Sequence, residues 1–482
     1  MPTQPPAKPG FKRRPHGQGP DRRHGGKHGE RNKESTAAPA PSAPGYDLRA
    51  LAVRLVSAVL DRGRALDDAL ATEFSSGPGA ALAPRDRALA RLIATTVLRR
   101  KGELEAVVAT FIEKPLPEDR GLLSPILLCA AAQLVVLEIA PHAVISIAVD
   151  QARRDRGARR FDRLTNAVLR RTSERGREIL ATLPGARQNI PAWMWTRWSS
   201  AYGEASADHI ARASLEEPAL DLTIKTPSEA AEWATRLGGE LLRTGTVRLA
   251  NPGARVDELP GFAEGAWWVQ DAAAALPARL LGGISGQRVA DLCAAPGGKS
   301  AQLAAGGALV TAVDLTPQRL ERVHQNMARL QLQAEIVAAD VLTWRPEQPF
   351  DAVLLDAPCT ATGTIRRHPD ILHLKRATDM AQLVDLQTHL LDHAITLVRP
   401  GGLIVYCTCS LEPEEGERQI ERILAGNPDL AREPITDDVT GIDPAWITAA
   451  GDLRTMPFHT PGTSPEHGGM DGFYAARLRR KS

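Results

Sequence analysis

Apolar residues recur at intervals of three and four from Tyr46 to about Glu178, a spacing that places them on one face of an α-helix. The pattern is clear in RALAVRLVSAVL and in DRALARLIATTVLRRKGELEAVVATFI. SPILLCAAAQLVVLEIA is apolar on all sides, which is typical of the central helix of a bundle, and HAVISIAVDQARR and FDRLTNAVLRRTSER are amphipathic again. This part of the chain therefore predicts an all-α bundle of six or seven helices.

The pattern changes between residues 179 and 268. IPAWMWTRWSSAYG concentrates three tryptophans on a short helical stretch, and LDLTIK, SEAAEWATRLG and TVRLA have the patterns of a strand, a helix and a strand. We expect a small α/β connector domain here.

From Trp268 onward, short apolar runs typical of strands alternate with amphipathic helical segments. The apolar runs are RVADLCA, LVTAVDL, AEIVAAD, FDAVLLDAP and GGLIVYCTCS. This alternation predicts βαβ units and a mainly parallel, doubly wound, Rossmann-like sheet, with ligands at the carboxyl ends of its strands. The expected domains are a basic arm at 1–45, the helical domain at 46–178, the connector at 179–268 and an α/β catalytic domain at 269–482.

Charge is concentrated at the beginning of the chain. The first 45 residues hold nine Lys or Arg and three His against three Asp or Glu, whereas the net charge of all 482 residues is only +2. This segment has too few apolar residues to offset chain entropy, so we expect a disordered arm, which is either a solubilising tail or a non-specific tether for phosphates. There is no secretory signal and no apolar run of roughly 20 residues, so we expect a cytoplasmic protein.

The five cysteines stand at positions 129, 293, 359, 407 and 409. They are too few and too unevenly distributed for a disulfide framework in a chain of this length. Without a CxxC pair or a histidine at zinc-finger spacing, a zinc site is not expected either. We therefore expect reduced thiols and no metal.

The first strand of the α/β domain continues into DLCAAPGGKS at residues 291–300. Gly297 and Gly298 allow close approach of the backbone to a ligand at a helix start, where free N–H groups favour an anionic group. A Walker A loop would require glycine at position 293, which is Cys, and the G-x-G-x-x-G pattern of dinucleotide sites is absent. Neither ATP nor NAD is therefore well supported.

Acidic residues end four successive strands: Asp291, Asp314, Asp340 and Asp356. A single acid at a strand end commonly caps a helix or begins a turn, but four beside a glycine loop favour a nucleoside-containing ligand. S-adenosylmethionine fits, because it has a ribose diol, an adenine amine and a zwitterionic methionine end, and no phosphates.

Cys359 and Cys409 follow the ends of two strands that we expect to be close neighbours, which would bring both thiols into one pocket. We expect Cys407 to be buried earlier in its strand, and Cys129 and Cys293 to be small apolar filler. A thiolate that adds to carbon 6 of cytosine turns the ring into an enamine whose carbon 5 can attack a methyl donor. The carbon 5 proton and the thiol must then leave, which a second proton-handling group and an acid near the ring would assist. Asp356 with two cysteines matches these requirements.

Several motifs resemble one family. FDAVLLDAPCTA and its continuation TATGTIRRHPDI resemble the diagnostic motif of the Sun/Fmu (RsmB-type) RNA cytosine-5 methyltransferases, DLCAAPGGKS their cofactor loop and RPGGLIVYCTCSLEPEE their catalytic strand. The helical part is similar to the NusB-like RNA-binding domain of members that act on small-subunit ribosomal RNA. The resemblance covers roughly residues 46–480 and implies methylation of 16S ribosomal RNA with S-adenosylmethionine as the cofactor.

The resemblance also implies roles for individual residues. Cys409 would attack carbon 6, Cys359 would assist product release and Asp356 would contact the base. Lys299 and the Gly297-Gly298 backbone would hold the methionine end, Asp314 the ribose and Asp340 the adenine. The full expected cofactor set is Cys293, Ala294, Ala295, Pro296, Gly297, Gly298, Lys299, Asp314, Arg319, Asp340 and Asp356.

RNA contacts are expected from two basic segments, and their candidate residues are Arg153, Arg154, Arg366, Arg367 and His368. For both segments the alternative is a solvated charged loop. Three other functions remain open at this point: a transfer RNA methyltransferase, a non-catalytic NusB-like RNA-binding factor and, less favoured, a DNA methyltransferase. We expect a monomer with RNA as its partner.

Overall fold

The computed structural model describes residues 44–250, 255–436, 439, 441–459 and 468–482. The basic arm expected at 1–45 lies almost wholly outside the described residues. Between residues 44 and 182 the chain forms the seven α-helices α1 (Tyr46–Leu60), α2 (Leu66–Ser75), α3 (Pro84–Arg99), α4 (Lys101–Ala109), α5 (Leu123–Val135), α6 (Pro141–Arg154) and α7 (Asp162–Thr182).

The helices surround α5, whose residues are almost all buried, as its uniformly apolar sequence predicts. Leu51, Ile93, Leu104 and Leu123 are fully buried in this core. Helix α7 continues to Thr182 and therefore extends past the boundary expected at 178, because REILAT prolongs its helical pattern. The all-α bundle predicted from the sequence is confirmed.

Three helices and a small sheet follow the bundle: α8 (Ala192–Tyr202), α9 (Glu204–Leu215), β1 (Leu220–Ile224), α10 (Ala230–Leu237), β2 (Glu240–Leu241), β3 (Val247–Leu249) and β4 (Trp267–Val269). The sheet has the order β2-β3-β1-β4, and its pairs are antiparallel. Trp198 of α8 is fully buried, and its indole donates a hydrogen bond to Glu412 in the catalytic part of the chain. The tryptophan-rich helix therefore joins two parts of the molecule.

The catalytic part contains the elements α11 (Leu276–Arg279), β5 (Arg288–Leu292), α12 (Gly298–Ala305), β6 (Leu309–Asp314), α13 (Pro317–Leu330), β7 (Glu335–Ala338), β8 (Phe350–Asp356), α14 (Ile371–Leu374), α15 (Ala377–Leu397), β9 (Val398–Thr408), α16 (Glu417–Gly426), β10 (Leu430–Arg432), β11 (Leu453–Thr455) and β12 (Phe473–Arg480). The strand order is β10-β12-β9-β8-β5-β6-β7, with β11 also paired to β12.

Strands β5 to β9 pair in parallel, whereas β12 runs antiparallel to its neighbours. Side chains of β8 alternate between two apolar clusters, with Ala352 and Leu354 in one and Val353 and Leu355 in the other. The sheet is therefore covered on both faces, and the expected Rossmann-like α/β fold is confirmed with an antiparallel strand added. In the described part of the chain, no helix has the length and apolar character needed to cross a membrane.

Candidate active site

The loop between β5 and α12 lies at the carboxyl end of the parallel strands, where the sequence predicts a ligand. Gly297 precedes the first turn of α12 with φ of 100°. A Cβ at this position would lie 3.1 Å from Val323, so the left-handed backbone and the packing of α13 both favour glycine. Free backbone N–H groups in the first turn of α12 then face the edge of the sheet.

Asp291 lies within β5 and anchors this loop from below. It is 1 % exposed, and the Ser300 hydroxyl of α12 donates a hydrogen bond to Oδ2. The other oxygen, Oδ1, has no hydrogen-bond partner among the described residues. Burial raises the pKa of Asp291 to about 7, although the bond from Ser300 and the charge of Lys299 oppose the rise.

Asp314 and Asp340 follow the next two strands of the sheet. Asp314 is 2 % exposed and accepts hydrogen bonds from the Ala295 N–H at 3.1 Å and from Arg319 at 3.3 Å. Arg319 also donates to the Ala295 carbonyl at 3.0 Å, so its side chain bridges the glycine loop and Asp314. Asp340 is exposed two residues beyond β7 and accepts from the Leu342 N–H at 3.0 Å. The two expected cofactor acids therefore differ strongly in exposure.

Cys359 and Cys409 meet beyond the ends of the paired strands β8 and β9. Their Sγ atoms are 3.5 Å apart, and all five cysteines are free thiols. The hydrogen bond with Cys409 raises the pKa of the Cys359 thiol, and burial adds to the rise. The parallel register of β8 and β9 pairs Asp356 with Cys407, so the two strands end side by side. Cys359 lies three residues after Asp356, and Cys409 lies two residues after Cys407. The sequence-based expectation that these thiols share a pocket agrees with this geometry.

Asp356, the last residue of β8, is paired with Lys299. The two groups are 2.7 Å apart, and the side chain of Asp356 is 30 % exposed. The Cys407 thiol donates to its other oxygen at 3.5 Å. Burial alone would lower the pKa of Lys299, but Asp356 raises it above its usual range, so Lys299 is a cation here. The sequence resemblance implies that Lys299 holds the methionine end of the cofactor; in the structure its ammonium is paired with Asp356.

The expected RNA contacts fall into two groups. Arg153 and Arg154 are exposed near the end of α6, in ion pairs with Asp162 and Asp150. Arg366, in contrast, is 3 % exposed, so the expectation that it faces RNA is wrong. Its guanidinium lies 3.9 Å from both Asp271 and Asp471, because acids from distant parts of the chain converge on it.

Arg367 and His368 are more accessible than Arg366. Arg367 forms a two-nitrogen ion pair with Asp471, and its side chain is 35 % exposed. His368 is 38 % exposed and lies 3.6 Å from Asp67 of the bundle. Burial lowers the pKa of His368, and the charge of Arg367 lowers it further. Both side chains are therefore accessible to solvent.

Sequence reasoning missed three acids that organise the site. Asp271 and Asp471 hold the arginines, and Glu415 accepts hydrogen bonds from the residues that follow both cysteines. EPEE after the catalytic strand is a sequence signal for an acid in this region, but it does not reveal which carboxylate points inward.

The residues of the glycine loop fit S-adenosylmethionine. The first turn of α12 offers N–H groups, Asp291 has an unpaired buried oxygen beneath the loop, and Asp340 offers an exposed carboxylate beside it. Among the described residues, no group of three or more His, Cys, Asp or Glu is arranged to hold a metal ion.

The mixed sheet, the glycine loop and the acids at its strand ends define a Rossmann-like methyltransferase. Residues 278–479 match the family model for the 16S rRNA methyltransferase RsmB/F, and residues 47–174 match the NusB family model. The chain belongs to the RsmB/F family. This family uses S-adenosylmethionine, which confirms the methyl donor expected from the sequence.

Individual relatives agree with the family assignment. The chain is 36% identical to ribosomal RNA small subunit methyltransferase B of Xanthomonas campestris over 92% of this chain and 99% of the relative. It is 33% identical to the protein of the same name from Cronobacter sakazakii, over 90% of this chain and 99% of the relative. The crystal structure of PH0851 shares the fold with a TM-score of 0.67 and 22% identity, covering 91% of this chain and 99% of that one.

Proposed function

We propose that the protein transfers a methyl group to carbon 5 of a cytosine in 16S ribosomal RNA through a covalent bond between Cys409 and carbon 6. The observation that carries this proposal is the pair of thiols, Cys359 and Cys409, whose sulfurs are 3.5 Å apart. A methyltransferase that acts on a nitrogen or an oxygen has no need for two thiols in this position, whereas the unreactive carbon 5 of cytosine requires a nucleophile first. The 16S substrate is supported by the family and by the named relatives.

Cys409 is the proposed nucleophile. Its sulfur, as a thiolate, forms a bond to carbon 6, and the electron pair of the 5,6 double bond moves to carbon 5. Bound S-adenosylmethionine would supply the methyl group; as carbon 5 takes this group, the bond between the methyl carbon and the positively charged sulfur would break and S-adenosylhomocysteine would leave as a neutral thioether. Cys407 is excluded from this role, because it is fully buried within β9 and its thiol is directed to Asp356.

Product release requires the carbon 5 proton to leave and the bond from carbon 6 to sulfur to break. The proton passes to a base such as water, the 5,6 double bond forms again, and the electron pair of the carbon–sulfur bond returns to Cys409. The Cys359 thiol, 3.5 Å from Cys409, can donate a hydrogen bond to the departing sulfur. We therefore assign release to Cys359 and attack to Cys409.

The ion pair of Asp356 and Lys299 is proposed to orient the base. Both oxygens of Asp356 are already aligned, one by the Lys299 ammonium and one by Cys407, so the carboxylate has a fixed direction. A carboxylate can accept further hydrogen bonds and would take one from the exocyclic amine of cytosine. Lys299 lies 5.0 Å above the Phe473 ring, which restrains it further.

We propose that the glycine loop at 293–298, with Asp314, Arg319 and Asp340, holds the cofactor. The α12 N-terminus would bind the methionine carboxylate, and Asp340 the adenine amine. For Asp314 to reach the ribose, Arg319 must move aside, since it covers that carboxylate in the structure. Residues Arg153, Arg154, Arg367 and His368 would contact RNA phosphates, which position the strand without reading its sequence. A 16S substrate places the reaction in the cytoplasm.

The two thiols can be separated by substitution. Cys409→Ala should reduce methyl transfer to 16S rRNA by at least about a thousandfold, because the covalent step is lost. Cys359→Ala should instead accumulate protein that remains bound to RNA on a denaturing gel. The measurement combines transfer of labelled methyl groups with that gel. Cys129→Ala, in the core of the bundle, serves as the control. It should neither reduce methyl transfer nor accumulate protein bound to RNA.

The opposite pattern, with covalent RNA in Cys409→Ala, would overturn the assignment. The same assay includes transfer RNA as a competing substrate. Methylation of transfer RNA alone, or a modified position other than carbon 5 after nuclease digestion and mass spectrometry, would contradict the proposed substrate and chemistry, respectively.

A further inference from the structure

Glu415 is a fully buried carboxylate at the end of a short turn that follows β9. Its oxygens accept hydrogen bonds from the Thr360 N–H at 2.9 Å, from the hydroxyls of Thr360 and Ser410, and from the Gln387 amide at 3.0 Å. No Lys or Arg in the described part of the chain forms an ion pair with it. Four donors thus replace the cation that a buried carboxylate normally requires.

The positions of these donors link Glu415 to both thiols. Thr360 follows Cys359 directly, and Ser410 follows Cys409 directly. The hydroxyls of Thr360 and Ser410 are also 3.1 Å apart, so the loop after β8 and the end of β9 share one hydrogen-bonded cluster. A single side chain therefore fixes the separation of two cysteines that lie 50 residues apart in the sequence.

The charges around the thiol pair are unequal. On the Cys359 side, the hydrogen bond with Cys409 and burial raise the pKa of the Cys359 thiol, and the negative charge of Glu415 raises it again. The hydrogen bond from the Ala361 N–H lowers the pKa of Cys359, but this effect is weaker. On the other side, the guanidinium of Arg367, which is partly exposed and paired with Asp471, interacts electrostatically with Cys409.

The other ionisable groups around the pair do not reverse this difference. Tyr406 of β9 donates its hydroxyl to the Glu415 carbonyl at 2.7 Å, and burial raises its pKa, so it is neutral. Asp356 and Lys299 neutralise each other on the β8 side. A negative charge on Cys359 is thus disfavoured.

We propose that Glu415 is a positioning residue that decides which of the two cysteines is the nucleophile. Its bonds to Thr360 and Ser410 hold the sulfurs together, and its charge keeps the proton of the pair on Cys359. Cys409 loses its own proton to solvent and is left as the thiolate that receives the Cys359 S–H hydrogen bond. The catalytic meaning of this arrangement rests on the proposed function, but the arrangement itself can be measured without RNA or methyl donor.

The test is the pH dependence of alkylation of the full chain by iodoacetamide, with each cysteine peptide quantified by mass spectrometry. The midpoint of the pH curve reports thiolate formation, whereas restricted access changes only the amplitude. In the wild type, the Cys409 midpoint should lie below that of Cys359. Glu415→Gln should move the Cys359 midpoint down by about one pH unit, which is about a tenfold faster reaction below the midpoint. Glu415→Asp, which retains the charge, should restore most of the wild-type difference.

Glu414→Gln is the matched control, because Glu414 is adjacent but its carboxylate pairs with Arg197 and Arg418 away from the thiols. It should leave both midpoints unchanged. A Cys359 midpoint that does not move in folded Glu415→Gln, or that moves together with Cys409 by the same amount, overturns the proposal. So does a wild-type Cys359 midpoint at or below that of Cys409, even if Glu415→Gln fails to fold. Failure of the proposed methylation chemistry would instead appear in the Cys409→Ala assay and would leave these midpoints unaffected.

Discussion

Asp291 shows that an acid near a strand end can serve the fold more than the ligand. Its carboxylate lies beneath the glycine loop, with one oxygen bonded to Ser300 and the other without a partner among the described residues. Burial raises its pKa to about 7 from a usual value of 3.8. In the pH range between these values the folded protein binds a proton that the unfolded chain has released.

This difference predicts a pH-dependent stability. Because the folded-state pKa is raised, the contribution of Asp291 is fully present below about pH 4, is lost as the pH rises to about 7, and stays constant above. Asp291→Asn keeps an oxygen for Ser300 and removes the titration. Relative to the wild type, the variant should therefore gain about 3 kcal/mol of stability between pH 5 and pH 8, because about two pH units separate pH 5 from the folded-state pKa. Urea unfolding at both pH values measures the gain, and an equal effect at both would contradict the prediction.

Residue identity alone could not predict the state of the arginines in TIRRHP. Arg366 and Arg367 are adjacent, yet one is buried and the other is partly exposed. The difference depends on Asp271 and Asp471, which are distant in sequence from both arginines and from each other. A charged loop on a catalytic motif therefore resembles an RNA-binding surface until its tertiary partners are known.

At the scale of elements, the sequence predicted the site better than its surroundings. Apolar runs that end in Asp356 and in Cys407-Thr408-Cys409 identified β8 and β9, and their adjacency in a parallel sheet placed the thiols together. The antiparallel strand β12 was not predicted as a strand, although Gly472, directly before it, donates a hydrogen bond to the Gly363 carbonyl. Its position depends on long-range pairing with β9 that no local pattern reveals.

Three chain segments cross at Gly363. Its N–H donates to the Cys409 carbonyl at 3.0 Å, and its carbonyl accepts from the Gly472 N–H at 2.8 Å. A Cβ on Gly363 would lie 1.9 Å from the Gly472 oxygen and 2.9 Å from the Cys409 oxygen. Since both neighbours are backbone atoms, the clash cannot be relieved by a side-chain rotation.

Gly363→Ala should therefore destabilise the protein by about 3 kcal/mol through overpacking and should displace Cys409 from Cys359. Gly283→Ala is the control, because a Cβ at that glycine meets nothing within 4 Å. Denaturant unfolding measures the stability. The displacement is measured as slower oxidation of the two thiols to a disulfide. If Gly363→Ala resembled Gly283→Ala in both measurements, the close crossing would not exist in solution.

At the scale of the whole molecule, the helical bundle contacts the segment that follows the Cys359 loop. Arg99 of α3 donates to the Arg366 carbonyl at 2.9 Å, and His373 bonds to the Leu98 carbonyl at 2.8 Å. Asp370 accepts from the Leu66 N–H at 3.0 Å. The NusB-like part therefore holds the backbone of the same segment that carries Arg367.

Arg99 is the side chain on which this connection can be tested. It is 6 % exposed, and burial lowers its pKa to about 10, yet it still donates to the catalytic segment. Arg99→Ala should lower the free energy of unfolding by about 2 kcal/mol, because a charged hydrogen bond is lost and the Arg366 carbonyl is left without that donor. Arg85→Ala, on the exposed face of the same helix, should change the free energy of unfolding by less than about 0.5 kcal/mol.

Methyl transfer should also fall in Arg99→Ala under conditions where the protein is folded, because the segment with Arg367 loses its support. Equal stability and activity in the two variants would show that the bundle does not support the active site through this contact.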